Sequence, residues 1–357
     1  LTLSPGAGFA AVFEPGANVS VIKGVGVSGD LIIKNATAVT MDATSTVTVD
    51  GSVDIGHGGA GGIAGSITGD IVLTNIILDA NGDGDGAGNP AKLLVKSTTG
   101  NITLAGTIDL NADPDVVDQK NDIVIIAEGG SIINGSGSAI AIDEVNNLTL
   151  TAKGSIGSLA KPLTVNAKTI SLTSTSVTAG DADIYINNNP NVLNLDSSDT
   201  VTLATIDTGI EGKITYRQTG QKLKITGPIK SYGGDILIDP PTDLLINETI
   251  NGGGGSVTAE ATGNITFGTI GFVTTSGVGN ILIQADVDVD GTGDLAFTEP
   301  GTAGGERVRT TGTGTIQLRG ENVVTENFSA KTTSGKIEIL AGRHSASTGE
   351  VYSKDGA

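Results

Sequence analysis

The sequence has no cysteine, no tryptophan and a single methionine. Without thiols there are neither disulfides nor thiolate metal centres. Aromatic residues are only 3% of 357 residues. One thick globular core leans on large aromatic side chains for its buried area, and this chain nearly lacks them. Basic residues are also few: 20 Lys and Arg face 39 Asp and Glu, a formal net charge of −19. That balance disfavours nucleic acid and anionic membrane surfaces, which need basic patches. No apolar run approaches the roughly 18 residues of a membrane span. The chain opens on LTLSPGAG, without an initiating Met or a signal peptide. It is expected to be a mature product or a segment of a longer one.

What the sequence does have is glycine and small aliphatics. There are 54 Gly, and hydrophobic residues reach 38%, mostly Val, Ile, Leu and Ala. So β-branched a composition argues against disorder. It suits many thin aliphatic layers rather than one thick core. One phrase recurs: Gly, a small polar residue, then alternating aliphatics. It starts at Gly69 (GDIVL), Gly100 (GNITL), Gly130 (GSII), Gly154 (GSIG), Gly234 (GDILI), Gly263 (GNITF), Gly279 (GNILI) and Gly293 (GDLAF). Alternation with period two marks a strand with one buried face. The leading Gly is expected to supply a bend or a positive φ.

The phrases restart at irregular intervals of tens of residues, and the segments between them read as further short strands. A sandwich or barrel would carry larger core residues and steadier hairpin signals. The expected architecture is therefore all-β: a right-handed parallel β-helix, or β-solenoid, of on the order of a dozen windings. Residues 1–30 are expected to form an entry segment or partial winding, 31–340 the shaft and 341–357 an exit segment.

The stretches GNITLAGTIDLNA (100–112), GSIGSLAKPLTVNA (154–167) and GNILIQADVDVDGTGDL (279–295) resemble the repeat regions of filamentous haemagglutinin-type adhesins. These are long bacterial surface proteins exported by two-partner secretion or as autotransporters. The likeness covers about residues 31–340 and is one of repeat grammar. Secretion domains of that family carry Asn-Pro-Asn motifs. Here Asn189-Pro190-Asn191-Val192 lies mid-chain and continues differently, and it is read as a turn before a strand at 192–195. The resemblance implies a secreted, cell-surface shaft that gives reach and presents outer loops for adhesion.

Three acidic stretches place oxygen-bearing side chains at alternate positions. They are Asp79, Asn81, Asp83 and Asp85; Asp109, Asn111 and Asp113; and Asp286, Asp288 and Asp290, the last followed by Gly291. The first two start thirty residues apart, which suits adjacent windings. Calcium takes six to eight oxygens, and such a pattern supplies several. The bidentate Glu that closes an EF-hand loop is missing, so a helix–loop–helix site is excluded. Two readings stand: a calcium site shared between windings, or polar turns, for which Asp, Asn and Gly are the standard residues. The third stretch also reads as a strand with Val inward.

Little else suggests chemistry. Carboxylates are too plentiful for any pair to identify a glycosidase. Lys213, Arg217, Lys222, Lys224 and Lys230 form the densest basic group, read as a solvated face. Tyr185, Tyr216, Tyr232 and Phe272 are too sparse for a sugar platform. His57 and His344 lack a triad pattern, and GHGGAGG lacks the Lys-Ser/Thr of a phosphate loop. The Thr-rich tracts at 44–49 and 169–178 are too local for an ice-binding array, and Asn101, Asn264 and Asn327 head glycosylation-like triplets that follow from the repeat phrase. The leading expectation is a non-enzymatic extracellular shaft contacting a host, neighbouring-cell or matrix surface. A matrix, surface-layer or filament subunit that self-associates head-to-tail or laterally is the alternative. A polysaccharide-active β-helix enzyme is a second.

Overall fold

The computed structural model describes residues 9–22, 26–27, 31–41, 46–49, 52–57, 67–78, 92–110, 121–135, 140–190, 200–239, 242–297, 306–324, 328–342 and 351–352. Its elements are strands, and the strand pairings within each unit are parallel. The chain is a parallel β-solenoid, as the restarting Gly phrases led us to expect. No helix among the described residues is long and apolar enough to cross a membrane. The chain divides into two compact units. The first comprises Leu1–Ser176 with Tyr185–Asn187 and Val192–Asn194; the second comprises Val177–Ile184, Asn188–Asn191 and Leu195–Ala357.

In the first unit, Leu31 is followed in register by Val53, Leu93, Ile123, Leu148 and Ile170, each from the next pairing strand. A second column runs Val39, Ile71, Ile102 and Ile132. A third runs Val47, Ile76, Ile108, Ile142 and Val165. All are buried. The N-terminal strand Phe9–Ile22 pairs parallel with Leu31–Met41.

The second unit repeats this with three strands per winding. Ile214, Ile236, Val257, Ile281 and Ile316 form one inward column. Leu223, Leu244, Ile265, Leu295 and Val323 form the next. Ile206, Ile229, Ile250, Val273 and Val308 form the third. Identical aliphatic positions stack because parallel windings repeat at about 4.8 Å, and each buried Ile or Leu contributes about 1.5–3 kcal/mol. The few aromatic residues obey the same rule. Phe267 and Phe297 stack with ring centroids 4.4 Å apart, and Phe328 follows Phe297 at 4.4 Å.

Two local expectations are corrected. The phrase glycines do not serve positive φ: none of Gly69, Gly100, Gly130, Gly154, Gly234, Gly263, Gly279 or Gly293 is among the positive-φ glycines. They are required because windings touch there. A Cβ on Gly100 would overlap the Gly69 backbone, and one on Gly130 would stand 2.5 Å from the Gly100 carbonyl oxygen. In addition, GSIG forms no strand; Ile156 makes a single bridge to Ile132. It precedes a turn in which Ser158 and Lys161 exchange main-chain hydrogen bonds.

Candidate functional site

The polar residue after most of the phrase glycines has a structural task that sequence reasoning missed. Its side-chain oxygen accepts the main-chain N–H of the equivalent residue one winding on. In the first unit Asp70 Oδ1 accepts from Asn101 (2.7 Å), Asn101 Oδ1 from Ser131 (2.8 Å), and Ser131 Oγ from Ser155 (3.1 Å). In the second unit one ladder runs Asp235, Ser256, Asn280 and Thr315. Another runs Asp243, Asn264, Asp294 and Asn322. Amides at the corners have no partner in their own strand, and an outward side-chain acceptor satisfies them. The signal was present in the sequence: only Asp, Asn and Ser follow the phrase glycines, all of them short acceptors.

A buried hydroxyl supports the same corners. Ser97 Oγ donates to the Gly69 carbonyl and accepts from the Gly100 amide. Ser174 Oγ donates to the Gly154 carbonyl, and Thr275 Oγ1 donates to those of Gly253 and Gly255. Much of the exterior polarity is thus committed to holding windings in register.

The basic group at 213–230 is part of this scaffold. Lys213 faces Asp235 at 4.0 Å, Arg217 faces Asp239 at 3.6 Å and Lys222 faces Asp243 at 3.3 Å. Asp239 lies opposite Arg217 on the next strand of its stack, while Asp235 and Asp243 immediately precede the strands that follow. These pairs are largely exposed, so each adds little to stability. Among the described residues one cation is buried: Arg307, 1% exposed, places Nη1 2.7 Å from the Gly268 carbonyl and 3.1 Å from those of Thr269 and Gly271.

Of the residues expected to bind calcium, Asp79, Asn81, Asp83, Asp85, Asn111 and Asp113 lie outside the described residues. Asp109 lies on the short strand Ile108–Asp109, half-buried. Asp286, Asp288 and Asp290 come together, with carboxylate oxygens within 4.8 Å of one another. Their segment is a turn, not the strand with inward Val that the alternation allowed. Asp286 and Val289 have φ of 54° and 59°, and Gly291 has 87°. Asp286 is fully buried, and its Oδ1 accepts from the amides of Asp290 (3.0 Å) and Gly291 (3.3 Å). Asp290 Oδ1 accepts from the Thr292 amide at 2.9 Å. Three clustered carboxylates offer oxygens to a hard divalent cation, and the same oxygens already organise the turn.

The aromatic and histidine positions are dispersed. Tyr216 is buried, its hydroxyl donating to Gln218 Oε1 (2.8 Å) and accepting from Asn188 Nδ2 (3.1 Å). Burial pushes its phenol well above the ordinary tyrosine range. Tyr232 is 51% exposed and sits 3.4 Å from Asp207 Oδ2; partial burial and that carboxylate raise its phenol. Phe272 is half-buried under the Arg309 guanidinium, 5.6 Å from its centroid. The main-chain amide of His57 donates to Asp54 Oδ1 at 3.0 Å, and His344 lies outside the described residues. A small cleft of about 160 Å³ is lined by Ser131, Asn134, Ser155, Ser158 and Lys161, below the roughly 300 Å³ of ordinary ligand pockets. Comparison with family models, with curated proteins and with solved structures returns no match to this chain.

Proposed function

We propose that this chain is a shaft segment of a bacterial surface adhesin, a non-enzymatic spacer on the outside of the cell. The observation that carries the reading is the unbroken inward columns, joined at the corners by side-chain-to-amide ladders that recur from winding to winding. Such a body derives its stability from neighbouring windings and leaves outward loops to vary. The resemblance of 100–112, 154–167 and 279–295 to filamentous haemagglutinin-type repeats supplies the class. The deficit of basic residues fits an exterior that does not adhere to nucleic acid.

The function of a spacer is length, so the test changes length alone. Asp235 and Ser256 occupy equivalent ladder positions 21 residues apart. Removing residues 235–255 takes out one winding and keeps the phase of every later strand. Displayed on a bacterial surface within its parent protein, the shortened shaft is expected to fold and remain exported. Adhesion to target cells should fall in steps as further windings are removed, and a lengthened shaft should restore it. Adhesion indifferent to length would remove the spacer reading. Release of reducing sugars or unsaturated uronides from a polysaccharide panel by the purified chain would transfer the protein to the enzyme reading.

A further inference from the structure

The corner ladder of the first unit changes character along its length. Asp70 and Asn101 give way to Ser131 and Ser155, and the regular winding is interrupted beside them. Ile156 bridges Ile132, but Gly157 follows it, and the chain turns through Ser158 and Lys161 instead of covering the outward Ile133. Ile133 is left 39% exposed. Ser131, Ile133, Ser155, Ser158 and Lys161 line the cleft that results. Ser131 Oγ accepts the Ser155 amide and Ser158 Oγ the Lys161 amide, both at 3.1 Å. Each of these hydroxyls therefore keeps a proton to donate. Among the described residues, Ser155 Oγ makes no hydrogen bond and the Lys161 ammonium joins no ion pair. Asn134, also in the wall, is committed, its Nδ2 donating to the Pro162 carbonyl at 2.7 Å. Among the described residues no acidic side chain lines the cleft, in a chain with 39 Asp and Glu against 20 Lys and Arg.

Breaks in an otherwise consistent pattern are expected at functional sites. Three hydroxyl donors and one ammonium, with no carboxylate among them, suit an anion of single charge. Hydroxyls also accept, so the same serines can meet the hydroxyls of a sugar. Ile133 offers an apolar edge to the C–H face of a ring. The volume of about 160 Å³ is short of a pocket that encloses a whole ligand, and it admits the acidic end of one. We propose that this cleft is a binding subsite for the carboxylate of a uronic-acid-type sugar, with Lys161 meeting the charge and Ser131, Ser155 and Ser158 the oxygens. A phosphate dianion is disfavoured, because one ammonium leaves its second charge unmatched in a chain of net charge −19. The subsite does not rest on the spacer reading, which concerns length alone.

The test uses the purified full chain and three soluble sugars that differ at one carbon: D-glucuronate, D-glucose and D-glucose 6-sulfate. Saturation-transfer NMR titrations read their affinities. Glucuronate should bind wild type at least about tenfold more tightly than glucose, the worth of one charge-assisted contact. K161Q should bring glucuronate down to the level of glucose, and K161R should keep part of the preference. Lys161 is exposed, so K161Q should melt with the wild type. S155A should weaken glucuronate binding by about threefold to tenfold at an unchanged melting temperature, since Ser155 Oγ holds nothing within the described chain. A wild type that binds glucuronate no better than glucose would overturn the proposal, and so would a preference that survives K161Q. Tighter binding of glucose 6-sulfate than of glucuronate would give the cleft to sulfated sugars and overturn the carboxylate assignment.

Discussion

Gly255 lies against Gly234 so closely that a Cβ on Gly255 would overlap the Gly234 carbonyl oxygen. The adjacent Gly254 is open, its nearest neighbour 3.9 Å from where a Cβ would stand. Neither is among the positive-φ glycines, so the two differ in space and not in backbone strain. Gly255→Ala is expected to destabilise the second unit by about 1–3 kcal/mol or more through overpacking. Gly254→Ala should be neutral or slightly stabilising, because it restricts the unfolded chain. Urea melts of the two variants check the pair. Equal effects would show that contact between windings is not what Gly255 serves.

Register makes a second prediction. Ile236, Val257 and Ile281 share an inward column, while Leu237, Thr258 and Leu282 share the outward one. Excising residues 235–255 should leave a cooperatively folding protein. Excising 235–254 should not, because a slip of one residue sends every later aliphatic to the solvent face. Circular dichroism and the sharpness of the melt distinguish the two. Cooperative folding of both would mean that the inward columns are not the source of stability.

These relationships also show what the sequence made legible. Ile71 and Leu73, or Ile281 and Ile283, alternate so plainly that strand and buried face follow from period two, and the restarting of the same Gly phrase adds the parallel stacking. Gly100 was found for the right pattern and the wrong cause. Positive φ is a property of one residue, whereas the Gly69 backbone that excludes a Cβ there comes from another winding. Asp70 and Asn101 were visible as the small polar residues of the phrase, but their bond spans 31 residues, a distance no local rule reaches. By contrast, the grouping of Asp286, Asp288 and Asp290 was readable because it is local.

Tyr216 gives a prediction in alkali. Its phenol is raised because burial disfavours the phenolate, while the Asn188 hydrogen bond pulls weakly the other way. The folded pKa therefore lies above the unfolded one. The corresponding stability is fully present below the unfolded value of about 10. Above that pH the unfolded state ionises and the folded state does not. Stability should fall by about 1.4 kcal/mol per pH unit from this residue, until the folded pKa is reached. Absorbance titration of the phenols should show one tyrosine that ionises only as the chain unfolds. Tyr216→Phe should remove that component. It should also cost about 1–3 kcal/mol at neutral pH, because Gln218 loses its donor and the Asn188 amide loses its acceptor. A Tyr216 that titrates with the exposed phenols would contradict the buried triad.

The last prediction concerns the turn at 286–291. Asp286 holds a φ of 54° and accepts two main-chain amides through Oδ1. Asp and Asn are the non-glycine residues that tolerate this conformation, because a short side chain can bond the neighbouring backbone. Asp286→Ala keeps the strained φ and removes the acceptor, and about 1–3 kcal/mol of stability should be lost. Asp286→Asn retains an oxygen at the same place and should recover most of it. Asp288 is exposed, and Asp288→Ala should fall within about 0.5 kcal/mol of wild type. Thermal melts of the three variants, each with and without calcium, separate a hydrogen-bonded turn from a cation site. The turn requires the Ala-to-Asn difference at 286 to persist in chelator. A difference that vanishes in chelator, joined by a calcium-dependent loss at Asp288, would give the three carboxylates to the cation instead.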